Sequence, residues 1–248
     1  MPIFELNNNL VFPPPHLASE DGILAVGGDL NPARILLAYH QGIFPWPHEG
    51  YPLLWFCPNP RFVLKPTHAL IGKSLRKSIR KSPYIITCDT AFSEVMENCS
   101  SNYRPGQDGT WITPEMIEAY TKLHQQGFAH SIEAYRDDQL VGGLYGISLG
   151  GFFFGESMFA LQADASKIAF ATLLAHLIHW DFDLVDCQSQ TDHLARFGAV
   201  HTSKAQFLKL LKQSLKTKPT KSGKWNFTLS SEEILKIFKT LAQHDAKS

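Results

Sequence analysis

Three apolar runs between residues 131 and 158 are separated by turn dipeptides, and this spacing limits the possible folds more than any other feature of the chain. The runs Ser131–Arg136, Gln139–Leu149 and Phe152–Met158 are joined by Asp137-Asp138 and Gly150-Gly151. Two-residue connections join antiparallel strands only, so the segment is predicted to be an antiparallel meander. A long apolar stretch follows at about Asp164–Trp180. Asp164, Lys167, His176 and His179 interrupt it, which makes it too polar for a membrane span and suited to a buried helix. An apolar strand, Leu184–Cys187, comes next, with helices expected from Thr191 and Ser203. This order predicts an α+β fold around one central, mostly antiparallel sheet.

The first part of the chain reads differently. Residues 1–62 are rich in Pro, Gly and aromatics, as in Phe12–Pro15, Gly42–Trp46 and Phe56–Arg61. Such density permits only short elements. The exception is Asn31–Gln41, where Pro32 suits a first helical turn and Gly42 a stop. The predicted organisation is a small N-terminal domain over 1–62 and a larger domain over 63–248, with no role assigned to the tail beyond about 230. Within the larger domain, Ser74–Lys81 reads as a basic helix and Tyr84–Cys88 as a strand. Asp89 reads as the cap of a helix reaching about Asn98. Thr113-Pro114-Glu115 opens another helix that Gly127 ends. Lys216–Lys224 reads as a flexible loop.

Hydrophobic residues make up 44% of the 248, enough for a sizeable core, which excludes global disorder. The four cysteines, Cys57, Cys88, Cys99 and Cys187, form no C-x-x-C pair, so neither zinc nor a disulfide framework is expected. The N-terminal residues carry no signal-peptide pattern, and the expected location is the cytoplasm. Formal net charge is zero, yet cations are segregated. Arg61, Lys65, Lys73, Arg76, Lys77, Arg80 and Lys81 occur without an intervening acid. So do Arg196, Lys204, Lys209, Lys212, Lys216, Lys218, Lys221 and Lys224. Either run alone reads as a solvated face. Two runs flanking one central region point to an anionic ligand, with nucleic-acid phosphate the leading candidate.

Three groupings could carry chemistry. Asp186 and Gln188 end an apolar strand at alternating positions, and side chains at i and i+2 share a face. A carboxylate beside an amide can orient an amine or hold a developing oxyanion. Spacing alone favours the plainer alternative, that both satisfy backbone groups at a strand end. Glu156 lies among apolar residues in Phe154–Phe159, where a carboxylate needs a cation or donors. A cationic substrate group and a nearby Lys or Arg serve equally. Among the aromatics Phe44, Trp46, Trp55, Phe56 and Trp111, the pair Trp55 and Phe56 suits a core. Trp46, between two prolines, is harder to bury, and exposed aromatics can stack on unpaired bases. A P-loop, H-E-x-x-H, a dinucleotide fingerprint and G-x-S-x-G are all missing, which disfavours nucleotide hydrolysis, zinc chemistry and a serine triad.

The segments Gly22–Leu30, Tyr39–Trp46, Trp111–Tyr120, Gly127–Tyr135, Leu140–Gly146, Phe153–Phe159, Ala165–Ala169 and Val185–Ala199 together resemble the bacterial leucyl/phenylalanyl-tRNA–protein transferases. The resemblance implies a GNAT-like acyltransferase domain behind the N-terminal one. It also implies transfer of Leu or Phe, and less readily Met, from aminoacyl-tRNA to proteins that begin with Arg or Lys, creating an N-degron. By the same resemblance Asp186 and Gln188 are catalytic and Glu156 joins them. Trp46 and Trp111 hold the 3′-terminal adenosine, and Arg76 and Arg80 face the tRNA. The amino-acid pocket falls on Leu144, Phe153, Met158, Phe170, Leu173 and Val185. Leu144 stands where relatives carry Met, and the aliphatic and aromatic are exchanged at 170 and 173; such swaps keep approximate volume.

An aminoacyl ester is already activated, so its aminolysis calls for no cofactor, ATP or metal. On this reading Asp186 orients the acceptor amine and Gln188 positions the reacting centre. Rival readings are an acetyl-CoA-dependent N-acetyltransferase, a non-catalytic RNA-binding module and a peptidoglycan aminoacyltransferase. Against the first, Asp164-Ala165-Ser166-Lys167 lacks the glycine run of a pyrophosphate loop.

Overall fold

The structure is a computed structural model that describes residues 3–47, 50–101 and 110–245. The chain opens with β1 (Phe4–Leu6), β2 (Ile23–Gly27), α1 (Pro32–His40), β3 (Phe44–Pro45) and β4 (Leu54–Phe56). It continues through β5 (Arg61–Leu64), α2 (Lys73–Arg80), β6 (Ile85–Cys88), α3 (Phe92–Ser101) and α4 (Pro114–Gln125). The meander follows as β7 (Ala129–Arg136), β8 (Gln139–Leu149) and β9 (Phe152–Ala160). The remainder is α5 (Ala165–His179), β10 (Leu184–Gln188), α6 (Asp192–Arg196), β11 (Val200–Thr202), α7 (Lys204–Thr217) and α8 (Ser231–Asp245).

Two sheets form. The smaller has the order β1-β2-β4-β3, and the larger β11-β5-β10-β9-β8-β7-β6. The expected meander is therefore the heart of the larger sheet, and the α+β architecture stands. Among the described residues, β9 and β10 are the one parallel pair of that sheet, with Val185 opposite Phe153. A parallel neighbour needs a crossover, and α5 supplies it, its inner face packed on β7 and β8. Local signals work as read in two helices. Asn31 accepts from Ala33 N–H at the start of α1, and Thr113 from Met116 N–H at the start of α4. Gly127 ends α4 at φ +80°, a left-handed value that favours glycine.

The expected 62/63 boundary lies within β5, which pairs with β10 and β11 in the larger sheet. The N-terminal elements do not close on their own core either. Ile35, Tyr39, Ile43 and Trp55 share one continuous apolar cluster with Met96, Tyr120, Phe154 and Phe207. Asp89 is not a helix cap. It is buried with φ +56°, accepting from Ser131 N–H at 3.1 Å and Trp225 N–H at 2.7 Å. The segment expected to be a flexible loop begins inside α7 and is tied down beyond it. Gly223 N–H donates to Gly127 O, and Trp225 stacks on His130 at 3.8 Å. His176 Nε2 accepts from Thr228 and Leu229 N–H, and burial lowers the pKa of the ring. The tail forms α8, whose buried Ile234 and Phe238 pack it towards α2 and α5; residues 246–248 lie outside the described ones. No helix among the described residues is long and apolar enough to cross a membrane.

Candidate active site

Between the two sheets opens a cleft of about 560 Å³. Strands β8–β10 form its floor, the start of α5 and α6 one side, and β3 with the residues before α4 its rim. A cleft of this size, mostly apolar with a few convergent polar groups, is the usual form of a small-ligand site.

Its polar end is built around Glu156. The carboxylate accepts from Tyr39 Oη at 2.6 Å, from Gln188 Nε2 at 2.7 Å and from Tyr120 Oη at 3.5 Å. Tyr39 comes from α1 and Tyr120 from α4, and their hydroxyls lie 2.8 Å apart. Desolvation dominates and raises the Glu156 pKa to about 7. The Tyr39 hydrogen bond opposes that rise, the nearby Asp186 adds to it, and Gln188 and Arg61 oppose it. Burial and the neighbouring carboxylate hold both tyrosines well above their ordinary range, so they remain donors. Of the two partners the sequence left open for Glu156, a Lys or Arg side chain is not the one found among the described residues. Neutral donors satisfy it, and one edge of the group stays on the cleft.

Asp186 behaves differently. Arg61 grips it with Nε to Oδ1 at 2.8 Å and Nη2 to Oδ2 at 2.5 Å, and both side chains are fully buried. Oδ1 also accepts from Gln188 N–H at 3.0 Å. The guanidinium sits between the rings of Phe44 and Phe207, 4.7 and 4.6 Å from their centroids. Asp186 and Gln188 both line the cleft, but not by simple alternation along a regular strand. A bulge lies between them, since Asp186 pairs with Val63 while Gln188 pairs with Phe62, and Gln188 has φ +58°. The bulge turns the amide towards Glu156 and leaves the Asp186 carboxylate facing Arg61.

The apolar end contains Leu144, Met158, Phe170 and Val185, four of the six expected pocket residues. Phe153 and Leu173 do not reach it. Both are fully buried in the cluster behind its wall, where Phe153 packs near Trp225. Trp46 and Trp111 sit on the rim and both are half-buried, as expected for Trp46 between its two prolines. Trp55 is fully buried and Phe56 partly, which suits core roles. Arg76 and Arg80 lie on α2 rather than in the cleft. Arg76 donates from Nε to Ile71 O, while Arg80 is exposed. Helix α2 is fastened to the cleft's edge, because Ser78 Oγ donates to Asp164, which also pairs with the cleft-lining Lys167 at 2.7 Å.

Tyr39, Tyr120 and Arg61 were missed. In the sequence Arg61 reads as one of a run of cations facing an anionic ligand, although its β5 setting, Arg-Phe-Val-Leu, is that of a buried strand. No local signal marks the tyrosines, which come from helices far apart in sequence. Among the described residues no cluster of His, Cys, Asp and Glu could hold a metal ion.

A family model described as leucyl/phenylalanyl-tRNA protein transferase matches residues 63–212, and one for the N-terminal domain of the same family matches 28–59. A leucyl/phenylalanyl-tRNA–protein transferase of Myxococcus xanthus is 54% identical over 91% of this chain and 97% of its own. Those of Desulforapulum autotrophicum and Desulfatibacillum aliphaticivorans are 52% and 50% identical, covering 92% and 95% of this chain and 99% and 100% of theirs. A functionally unknown conserved protein from Staphylococcus epidermidis overlays with a TM-score of only 0.33 at 12% identity over 65% of this chain and 68% of its own, too loose to define a fold family. An α+β protein with this cleft and these relatives is an aminoacyltransferase. More particularly, the chain belongs to the leucyl/phenylalanyl-tRNA protein transferase family, whose activity is aminoacyl transfer from tRNA to protein.

Proposed function

We propose that the cleft takes the 3′ end of Leu-tRNA or Phe-tRNA, and less readily Met-tRNA, and passes the aminoacyl group to a protein beginning with Arg or Lys. The observation that carries this reading is the union, in one cavity, of an apolar socket with a hydrogen-bonded carboxylate and amide. Leu144, Met158, Phe170 and Val185 would receive the aminoacyl side chain, with Phe153 and Leu173 as backing. Trp46 and Trp111 at the rim suit the terminal adenosine. Arg76 and Arg80 on the neighbouring helix suit tRNA phosphates.

In the reaction the acceptor α-amine attacks the ester carbonyl carbon, a C–N bond forms, and the bond to the ribose 3′-oxygen breaks. The amine gives up a proton and the ribose oxygen gains one. An α-amine has an ordinary pKa of about 7.7–8.0, so a strong base is unnecessary. Glu156, with its pKa raised to about 7, is matched to accept that proton near neutrality. Its charge, rather than that of Asp186, is the one free to meet a cationic acceptor. Gln188 holds Glu156 in place and borders the reacting centre, while Asp186 acts through Gln188. Holding two substrates together supplies much of the acceleration in such a reaction.

The same reading assigns Glu156, Gln188 and the socket to a GNAT-like domain over 63–248, with 1–62 as a small N-terminal domain that lends Tyr39 to the site, in a cytoplasmic protein. The parallel β9–β10 pair beside the cleft supports that assignment. The test is to incubate the protein with radiolabelled Leu-tRNA and peptides bearing N-terminal Arg, Lys or Ala. Label should pass to the Arg and Lys peptides. Equal labelling of the Ala peptide would refute the acceptor assignment, and binding of coenzyme A would favour an N-acetyltransferase instead.

A further inference from the structure

Arg61 is a buried cation with unusual company. Its guanidinium is fully buried, paired through two nitrogens with Asp186, and pressed between Phe44 of β3 and Phe207 of α7. Its third nitrogen, Nη1, is buried without a hydrogen-bond partner among the described residues. A buried ion pair is weak evidence for stability, because desolvation of both groups offsets the attraction between them, and apolar residues often serve as well. Such a pair therefore invites a reason beyond stability.

The geometry supplies one. Asp186 Oδ1 accepts from Arg61 Nε and also from Gln188 N–H, and the latter bond closes over the bulge that puts Gln188 at φ +58°. A non-glycine residue holds such a backbone only where its surroundings enforce it. The strained turn in turn aims Gln188 Nε2 at Glu156 Oε1. We propose that Arg61 is a positioning residue for the transfer reaction: it fixes the Asp186 carboxylate, which holds the bulge, which aims Gln188 at Glu156. The planar fork suits this task as an ammonium cannot, since two nitrogens must meet two oxygens at fixed separation. The flanking rings keep the fork in one orientation. Phe44 belongs to the smaller sheet and itself lines the cleft, so the clamp ties that sheet to the reacting end.

The inference rests on the reading that Gln188 and Glu156 border the reaction, and the experiment separates the two. Leu transfer is measured for Arg61→Lys, Phe207→Leu, Gln188→Ala and Arg61→Lys/Gln188→Ala, with thermal unfolding of each. Arg61→Lys keeps the charge, so kcat should fall ~10-fold or more with KM for Leu-tRNA within about twofold, as for a misplaced group. Phe207→Leu should lower kcat about threefold in the same pattern, because a cation–ring contact is weaker than the fork itself. In the Gln188→Ala background, Arg61→Lys should cost almost nothing more, since both act along one path. A merely structural role would lower activity equally in both backgrounds. Normal kcat in Arg61→Lys beside a disabled Gln188→Ala overturns the positioning role while sparing the site. Normal activity of Gln188→Ala overturns the reading of the site itself. If Arg61→Lys does not fold, an unchanged kcat in Phe207→Leu overturns the proposal.

Discussion

Two groups of buried carboxylates occupy different parts of the larger sheet, and they are wired for different ends. Near β6 and β7, Glu133 accepts from Thr87 Oγ1, Thr90 Oγ1, Ser131 Oγ and the N–H groups of Thr90 and Ala91. Asp89 beside it accepts from His130, Ser131 and Trp225. Those carboxylates are enclosed on every side, and they join segments far apart in sequence: the turn before α3, strand β7 and the chain beyond α7. Near β9 and β10, Glu156 has three donors and still borders a cavity. Saturation yields a fastener. An opening on one side yields a reactive group, with a pKa displaced into the working range.

Substitutions can break or sharpen this contrast. The largest effect is expected from Glu156→Gln, which keeps the shape and removes the base. Single-turnover transfer from Leu-tRNA should fall ~100-fold or more, the usual range for a lost general base, with the unfolding midpoint nearly unchanged. Normal turnover would place both groups in the same structural category. Asp89→Ala should show the reverse. It strands a buried imidazole and two backbone N–H groups, so urea unfolding should reveal a loss of about 2–3 kcal/mol. The folded fraction should keep its kcat, and a kcat loss exceeding the stability loss would erase the distinction.

A smaller effect lies in the pH profile. If ionised Glu156 takes the amine proton, kcat rises with pH through a midpoint near 7 and levels above it, and the limb disappears in Glu156→Gln. The same displacement acts on stability with a definite sign. The folded group holds its proton above its ordinary value of 4.5, so its stabilising contribution is complete below 4.5 and is lost as pH climbs through about 7. Unfolding free energy compared between pH 5 and 8 in wild type and Glu156→Gln checks this; an identical slope in both would remove Glu156 as the cause. The smallest effect is in the socket. Leu144→Ala should shift the ratio of Phe to Leu transfer about tenfold towards Phe, since a few methylenes are worth about 1–3 kcal/mol each in such pockets. Competition between the two aminoacyl-tRNAs measures it, and an unchanged ratio would move the socket elsewhere.

Much of the scaffold could be read from residues alone, because its signals are local. The turn dipeptides define the meander, and Thr113-Pro114-Glu115 opens α4 as its capping chemistry dictates. Asp89 gives the same kind of signal and deceives. An Asp ahead of a helix suits a cap, but its carboxylate is claimed by β7 and Trp225 through contacts no local pattern carries. Strands β5 and β11 were hidden for a similar reason, being short and lying beside Pro-rich or basic sequence. At the site, residue types were legible and orientations were not. The bulge at Gln188 interrupts the simple alternation, and the family resemblance places Phe153 and Leu173 on the cleft when they lie behind it. Arg61 was hidden by its charge.

Tyr39 and Phe44, both from the first fifty residues, reach across to the polar end of the cleft and to the cation beneath it. The catalyst is thus a joint possession of the whole chain. A gene that shed its opening segment in the course of evolution would keep a sheet, a socket and even a carboxylate, but it would inherit a chemist without hands.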